Sequence, residues 1–142
     1  MKAIMYHYVR QFNPGLPNFR FLDVKNFQKQ LDFFQEQFGF VSKDEWLNVL
    51  KSKKLESAKG KVLLTFDDAM SCHYEYVYKV LKKRGLWGIF YVPTQPYQKG
   101  KVLDVHRIHF LCGAFDGSEL LTTLEMFLDK SMIPDGKRKE FR

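Results

Sequence analysis

The chain has 142 residues, 45% of them hydrophobic, enough to bury a real core, and its length predicts a single domain over 1–142. No run of about 18 apolar residues occurs, which excludes a helical membrane span, and Met1-Lys2-Ala3-Ile4-Met5-Tyr6-His7 is too short and too soon polar for a signal peptide, so a cytoplasmic protein is expected. The net charge of +7 gathers at Lys51-Lys53-Lys54, Lys82-Lys83-Arg84 and Lys137-Arg138-Lys139; predicted helix ends and a chain terminus account for these clusters, and no nucleic-acid motif accompanies them.

In chain order, Ala3 to Val9 is rich in β-formers (Ile4, Tyr6, Tyr8, Val9) and is predicted as the first strand. Pro14, Gly15 and Pro17 then force a loop. From Val24 the apolar residues Val24, Phe27, Leu31, Phe34 and Phe38 fall at steps of three and four, the spacing of one helical face, with Asp23 as N-cap and Gly39 just past the end. Ser42-Lys43-Asp44-Glu45 reads as a capping box, with Val41 and Trp46 placed as a hydrophobic staple, so a second helix runs to about Lys53. Lys54 to Lys59 is a polar linker. Lys61-Val62-Leu63-Leu64-Thr65-Phe66 is a short continuous apolar run that suits a strand buried on both faces, as in a parallel sheet.

After Asp67-Asp68 a helix presenting Tyr74, Val77, Tyr78 and Leu81 leads to a basic last turn and to Gly85, the glycine expected beyond a helix C-terminus; His73, early in that helix, is expected to be exposed. Trp87-Gly88-Ile89-Phe90-Tyr91-Val92 follows as a third strand. Pro93, Pro96 and Gly100 mark a long loop before a helix over Leu103 to Leu111, Ser118 to Leu128 forms a last amphipathic helix, and Pro134 to Arg142 supplies no further strand. The order predicts an α/β fold, parallel strands with crossover helices. Three strands are too few to close a barrel, so either the sheet is open or the chain is a fragment. Cys72 and Cys112 form no metal-type pair and are read as free buried thiols.

In parallel α/β folds the residues that do chemistry gather at the carboxyl ends of the strands. His7 falls near the end of the first predicted strand, Asp67 and Asp68 just past the second, Thr94 and Gln95 just past the third. Two adjacent carboxylates behind a buried strand repel if both are ionised, so such a pair takes a cation or shares a proton. A divalent metal on one leaves the other as general base for an attacking water. The alternative is a pair that merely caps the following helix.

Tyr6-His7-Tyr8-Val9, Leu63-Leu64-Thr65-Phe66-Asp67-Asp68, and Leu81-Lys82-Lys83-Arg84-Gly85 running into Gly88-Ile89-Phe90-Tyr91-Val92-Pro93-Thr94 together resemble the polysaccharide deacetylase family, in order and spacing, over roughly the first 110 residues. The resemblance implies a partial (β/α) barrel-like deacetylase fold, incomplete in this chain and corresponding to the N-terminal part of the family's barrel. It implies metal-dependent removal of N-acetyl groups from a carbohydrate, with Asp67 as general base, Asp68 as metal ligand, Thr94 lining the substrate, and zinc as the usual divalent metal. Ala69 stands where the family usually has glycine, a costly exchange if the backbone takes positive φ there.

The family's His-[Ser/Thr]-x-x-His motif is absent. Asp104-Val105-His106-Arg107-Ile108-His109 instead places His106 and His109 three apart, on one helical face, where both reach a single metal or serve other lining and packing roles. His7, in the matching segment, is a further metal or site-lining candidate. Aromatic residues, 16% of the chain, suit sugar stacking, but Phe27, Phe34 and Phe38 are at core spacing. Two rival readings stand: an Mg²⁺-dependent phosphohydrolase-type acidic site, against which no Gly-rich phosphate loop is present, and a non-catalytic carbohydrate- or partner-binding homologue, or an incomplete fold that self-associates through an exposed sheet edge.

Overall fold

The structure is a computed structural model, and it describes residues 1–129, 132 and 135–137. These divide into two compact units, residues 1–12 with 20–103, and residues 13–19 with the described residues from 104 onward. Among the described residues no helix is long and apolar enough to cross a membrane.

The first unit is built on a three-stranded parallel sheet of β1 (Lys2–Tyr6), β4 (Val62–Phe66) and β5 (Ile89–Phe90), in the order β1-β4-β5. Lys2 lies opposite Val62 and Tyr6 opposite Phe66, so the carboxyl ends of β1 and β4 are level. Every residue of β4 is buried, which is why its sequence is continuously apolar and does not alternate. Its side chains still divide by period two. Val62, Leu64 and Phe66 pack with Tyr6, Val9, Phe27, Leu31, Val77 and Leu81, while Leu63 packs with Val41, Val49 and Ala58 on the other face.

The helices α1 (Val24–Gln37) and α2 (Lys43–Ser52) follow the pattern of the sequence. Asp23 accepts from the Lys25 amide, and the Gly39 amide closes on the Phe34 carbonyl with Gly39 at φ 67°, a conformation only glycine takes freely. Ser42 and Glu45 form a reciprocal capping box. Phe27 and Leu31 are fully buried, each contributing about 1.5–3 kcal/mol of apolar burial. The expected polar linker holds a 3₁₀ turn, Glu56–Ala58, whose Ala58 is fully buried.

Three elements differ from the sequence pattern. The first strand ends at Tyr6, and the short strand β2 (Val9–Arg10) pairs in parallel with β3 (Leu22–Asp23) in a separate sheet. The third strand is only two residues long, and the loop after it contains a short helix, α4 (Gln95–Lys99). The helix after the aspartates contains a π-helical turn, His73–Val77, ahead of α3 (Tyr78–Lys83). The wider turn shifts the helical phase: His73, Val77 and Leu81 face the core, while Tyr74 and Tyr78 are 73% and 46% exposed. The expectation of an exposed His73 is therefore wrong.

The second unit contains α5 (Asp104–Ala114), α6 (Gly117–Phe127) and the segment 13–19. Phe19 stacks on Phe110 at 5.4 Å between centroids, and its ring lies so close to Gly113 that a Cβ there would meet it at 2.5 Å. The amphipathic helix expected near the end forms as α6, N-capped by Asp116, but Leu121, Leu124, Met126 and Phe127 are all exposed. Cys72 is buried as expected; Cys112 is exposed, one α5 turn from exposed Ile108. Asp135–Lys137 is a 3₁₀ turn, and the rest of the strandless ending expected from Pro134 to Arg142 lies outside the described residues.

Candidate functional site at the carboxyl end of the central strand

The apolar strand β4 carries Asp67 and Asp68 out of the core. The last ladder bond between β1 and β4 is the Asp67 amide donating to the Tyr6 carbonyl at 3.0 Å, and Thr65, buried in β4, satisfies its hydroxyl on the Ile4 carbonyl at 3.2 Å. Beyond that rung the chain turns sharply, with Asp68 at φ 75° and Ala69 at φ 47°. Asp tolerates the left-handed region better than most residues; for Ala it costs about 1–2 kcal/mol. Strain of this kind collects at functional sites, and it falls on the position where glycine was expected.

Asp67 and Asp68 are both half-buried. At the end of β1, His7 brings Nε2 to 3.7 Å from Asp68 Oδ2, with side chains 41% and 26% exposed. The contact is too long for a hydrogen bond and is an ion pair only when the imidazole is protonated. It lies at the edge of water. Tyr8 sits in the field of the same carboxylate: burial first, then the Asp68 charge, pushes its hydroxyl up to about 12, which keeps it a neutral donor at ordinary pH.

The side chain that sequence reasoning missed is His73. It is 3% exposed, and its imidazole lies against the stacked pair Phe66 and Phe90, at 5.6 and 5.9 Å between centroids. Its Nε2 lies 2.6 Å from the His7 carbonyl. Burial pulls its pKa below the ordinary histidine value, against the smaller opposing effect of the His7 carbonyl. The sequence did hold a signal, since His73, Val77 and Leu81 are spaced by four.

Of the other residues singled out from sequence, Thr94 is exposed at the start of α4, where its carbonyl accepts from Gln98 and its side chain makes no cap. His106 and His109 are neighbours on α5 in the second unit, with ring centroids 6.4 Å apart; His106 is buried and His109 exposed.

A carboxylate with an imidazole is a zinc-type donor pair. Two ligand atoms on one tetrahedral zinc lie about 3.3 Å apart, given bonds of about 2.0–2.1 Å, so the 3.7 Å between His7 and Asp68 is within a small rotamer adjustment of that bite. Catalytic zinc takes three protein ligands, however. Among the described residues no group of three or more His, Cys, Asp or Glu side chains is gathered to hold a metal ion. The donors present fit one side of a metal shell and not a whole one.

Parallel strands with crossover helices, and an acidic pair at the carboxyl end of the central strand, define an α/β protein whose chemistry is to be sought at that end. The polysaccharide deacetylase family model matches residues 54–109, a segment that includes β4, both aspartates, His73, His106 and His109. Among solved structures, the Streptococcus pyogenes deacetylase PplD in complex with acetate is similar at a TM-score of 0.54 and 29% identity, over 72% of this chain and 46% of that one. IcaB from Ammonifex degensii is similar at 0.51 and 29%, over 64% and 37%. A de-N-acetylase from Aggregatibacter actinomycetemcomitans, at 0.51 and 16% over 72% and 41%, shares the fold. The chain spans less than half the length of each of these structures. No curated protein matches it. Residues 54–109 thus match the polysaccharide deacetylase family model, and the aligned 72% of the chain shows part of the (β/α) fold of its structural neighbours.

Proposed function

We propose that the chain carries the acidic part of a site that hydrolyses N-acetyl groups on a carbohydrate. The observation that carries this reading is the half-buried Asp67-Asp68 pair held at the end of a fully buried strand, with His7 facing Asp68. Asp67 is assigned as general base: it takes a proton from the water whose oxygen bonds to the acetyl carbon. The carbon–nitrogen bond of the tetrahedral intermediate then breaks, the nitrogen takes the proton, and acetate and a free amino sugar leave. Asp68 and His7 are assigned to the cation side of the site, Thr94 to the substrate side. A divalent ion bound there, zinc by the chemistry of a carboxylate–imidazole pair, would polarise the acetyl carbonyl.

Two measurements test this: zinc titration by calorimetry, and acetate release from an N-acetylglucosamine oligomer. Asp67→Asn is expected to lower kcat at least about 100-fold, the usual scale for a lost general base, and to leave zinc binding intact. Asp68→Asn is expected to abolish zinc binding. Zinc titration of the double variant His106→Ala and His109→Ala tests whether those two histidines bind metal. Full activity in Asp67→Asn overturns the assignment, and a preference for Mg²⁺ over Zn²⁺ would favour the phosphohydrolase reading. A non-catalytic reading has one observation of its own: Phe90, Tyr91 and Val92 are exposed at β5, the last strand of the sheet order. Association through that edge predicts a dimer in solution.

A further inference from the structure

Three successive carbonyls explain how the end of β1 is shaped. Tyr6 O accepts from the Asp67 amide, Tyr8 O from the Leu22 amide at 2.8 Å, and between them His7 O accepts from the imidazole of His73 at 2.6 Å. Each is satisfied by a different element, as buried backbone requires, and this is why the first strand breaks where its β-rich sequence continues. A carbonyl only accepts, so His73 must carry its hydrogen on Nε2. Its Nδ1 is then an acceptor, fully enclosed and without a hydrogen-bond partner among the described residues.

An unpaired buried acceptor costs about 1–3 kcal/mol, and a phenylalanine in the same place against Phe66 and Phe90 would avoid that cost. Packing alone does not account for a histidine there. What histidine supplies and phenylalanine lacks is the donor to His7. The π-helical turn that begins at His73 brings the ring inward to make this bond, and such turns recur at functional sites.

We infer that His73 is a positioning residue: by holding the His7 carbonyl, it fixes the end of β1 so that the His7 imidazole faces Asp68. The role rests on His7 and Asp68 being the working pair of the proposed site. It is tested on the pair itself, so that its failure is distinct from an absence of deacetylation.

The experiment is solution NMR on the labelled 142-residue chain with His73→Phe and His73→Gln. Phenylalanine keeps the aromatic packing and loses the donor; glutamine places an amide NH₂ near the position of Nε2 and loses the ring. The wild type is expected to show His73 as the Nε2–H tautomer in long-range ¹H–¹⁵N spectra, with cross-relaxation between the His7 ring protons and the Asp68 β-protons. That cross-relaxation is expected to be lost in His73→Phe and regained in His73→Gln. A packing role predicts the reverse order. An Nδ1–H tautomer in the wild type overturns the inference, and that readout needs no variant to fold. So does a folded His73→Phe that keeps the His7–Asp68 cross-peaks, or a folded His73→Gln that lacks them.

Discussion

The turn after β4 makes Ala69→Gly the most informative single substitution. An alanine in ordinary helical or extended backbone loses roughly 1 kcal/mol of stability when replaced by glycine, because the unfolded chain gains freedom. Ala69 is at φ 47°, directly after Asp68 at φ 75°. The left-handed region costs an L-residue about 1–2 kcal/mol, and glycine removes that cost. Ala69 is half-buried, so loss of its methyl takes back about 0.4 kcal/mol, half the value of a buried methylene. The three effects nearly cancel, which predicts a change within about 0.5 kcal/mol of zero. An unstrained, half-buried alanine would lose about 1.4 kcal/mol from the same effects without strain relief. At about 4 °C per kcal/mol for a chain of this size, the two cases differ by about 6 °C in Tm. Urea and thermal unfolding of Ala69→Gly, beside Ala69→Val as a substitution that aggravates the strain, give the answer. A loss of 1.5 kcal/mol or more in Ala69→Gly would refute the claim that this turn stores strain.

Other consequences are open to the same assays. Because burial lowers the pKa of His73 in the folded state, the unfolded chain binds the extra proton first; stability from this group is full above the unfolded value of about 6.5, and is lost as pH falls from there toward the lower folded value. His73→Gln should flatten that part of the stability–pH curve, read by urea midpoints between pH 7 and pH 5. Phe27→Ala, at a fully buried position of the main core, should cost about 3–5 kcal/mol, while Phe33→Ala, 53% exposed on the same helix, should stay within about 1 kcal/mol. Ser42→Ala removes half of the capping box and should cost about 1 kcal/mol in chemical denaturation. Cys112, exposed, should react with a thiol reagent in the native state, and Cys72, buried with its pKa raised by that burial, should react only on unfolding.

The fold was legible where local pattern and tertiary burial agree. α1 shows its steps of three and four and both caps, α2 its capping box, and β4 the apolar run that a central parallel strand requires. The placement of Asp67 and Asp68 past β4, and of His7 past β1, followed from strand order alone. What was not legible depended on partners distant in sequence. Nothing local in Tyr6-His7-Tyr8-Val9 shows that its three carbonyls go to Asp67, His73 and Leu22, so the β-rich run looked like one strand. The apolar residues of α6 promised a packed face, yet Leu121, Leu124 and Phe127 remain exposed in the second unit; amphipathicity states that a helix has a face to bury and does not say what covers it.

The failure at the helix after the aspartates has a more specific cause. A 3.6-residue period assigns Tyr74, Val77, Tyr78 and Leu81 to one face, and Tyr74 with Tyr78 do lie together, stacked at 5.9 Å, but on the outside. One π-helical turn is enough to rotate His73 into the core in their place. That turn, the two left-handed residues Asp68 and Ala69, and the enclosed Nδ1 of His73 are departures from local preference within one short stretch of chain, Asp68 to Val77. Sequences are generally consistent with their folds at every level, and they depart where function imposes another demand. Elsewhere in the first unit α1 and α2 are capped by side chains and β4 is buried throughout, and Lys53 at the end of α2, φ 57°, is the other non-glycine residue with positive φ among the described residues. The clustering of departures around Asp67 and Asp68 is therefore an argument for a working site there, independent of any resemblance to deacetylases. It predicts that relieving each departure singly, by Ala69→Gly or His73→Phe, leaves the fold intact and disturbs the geometry of His7 and Asp68.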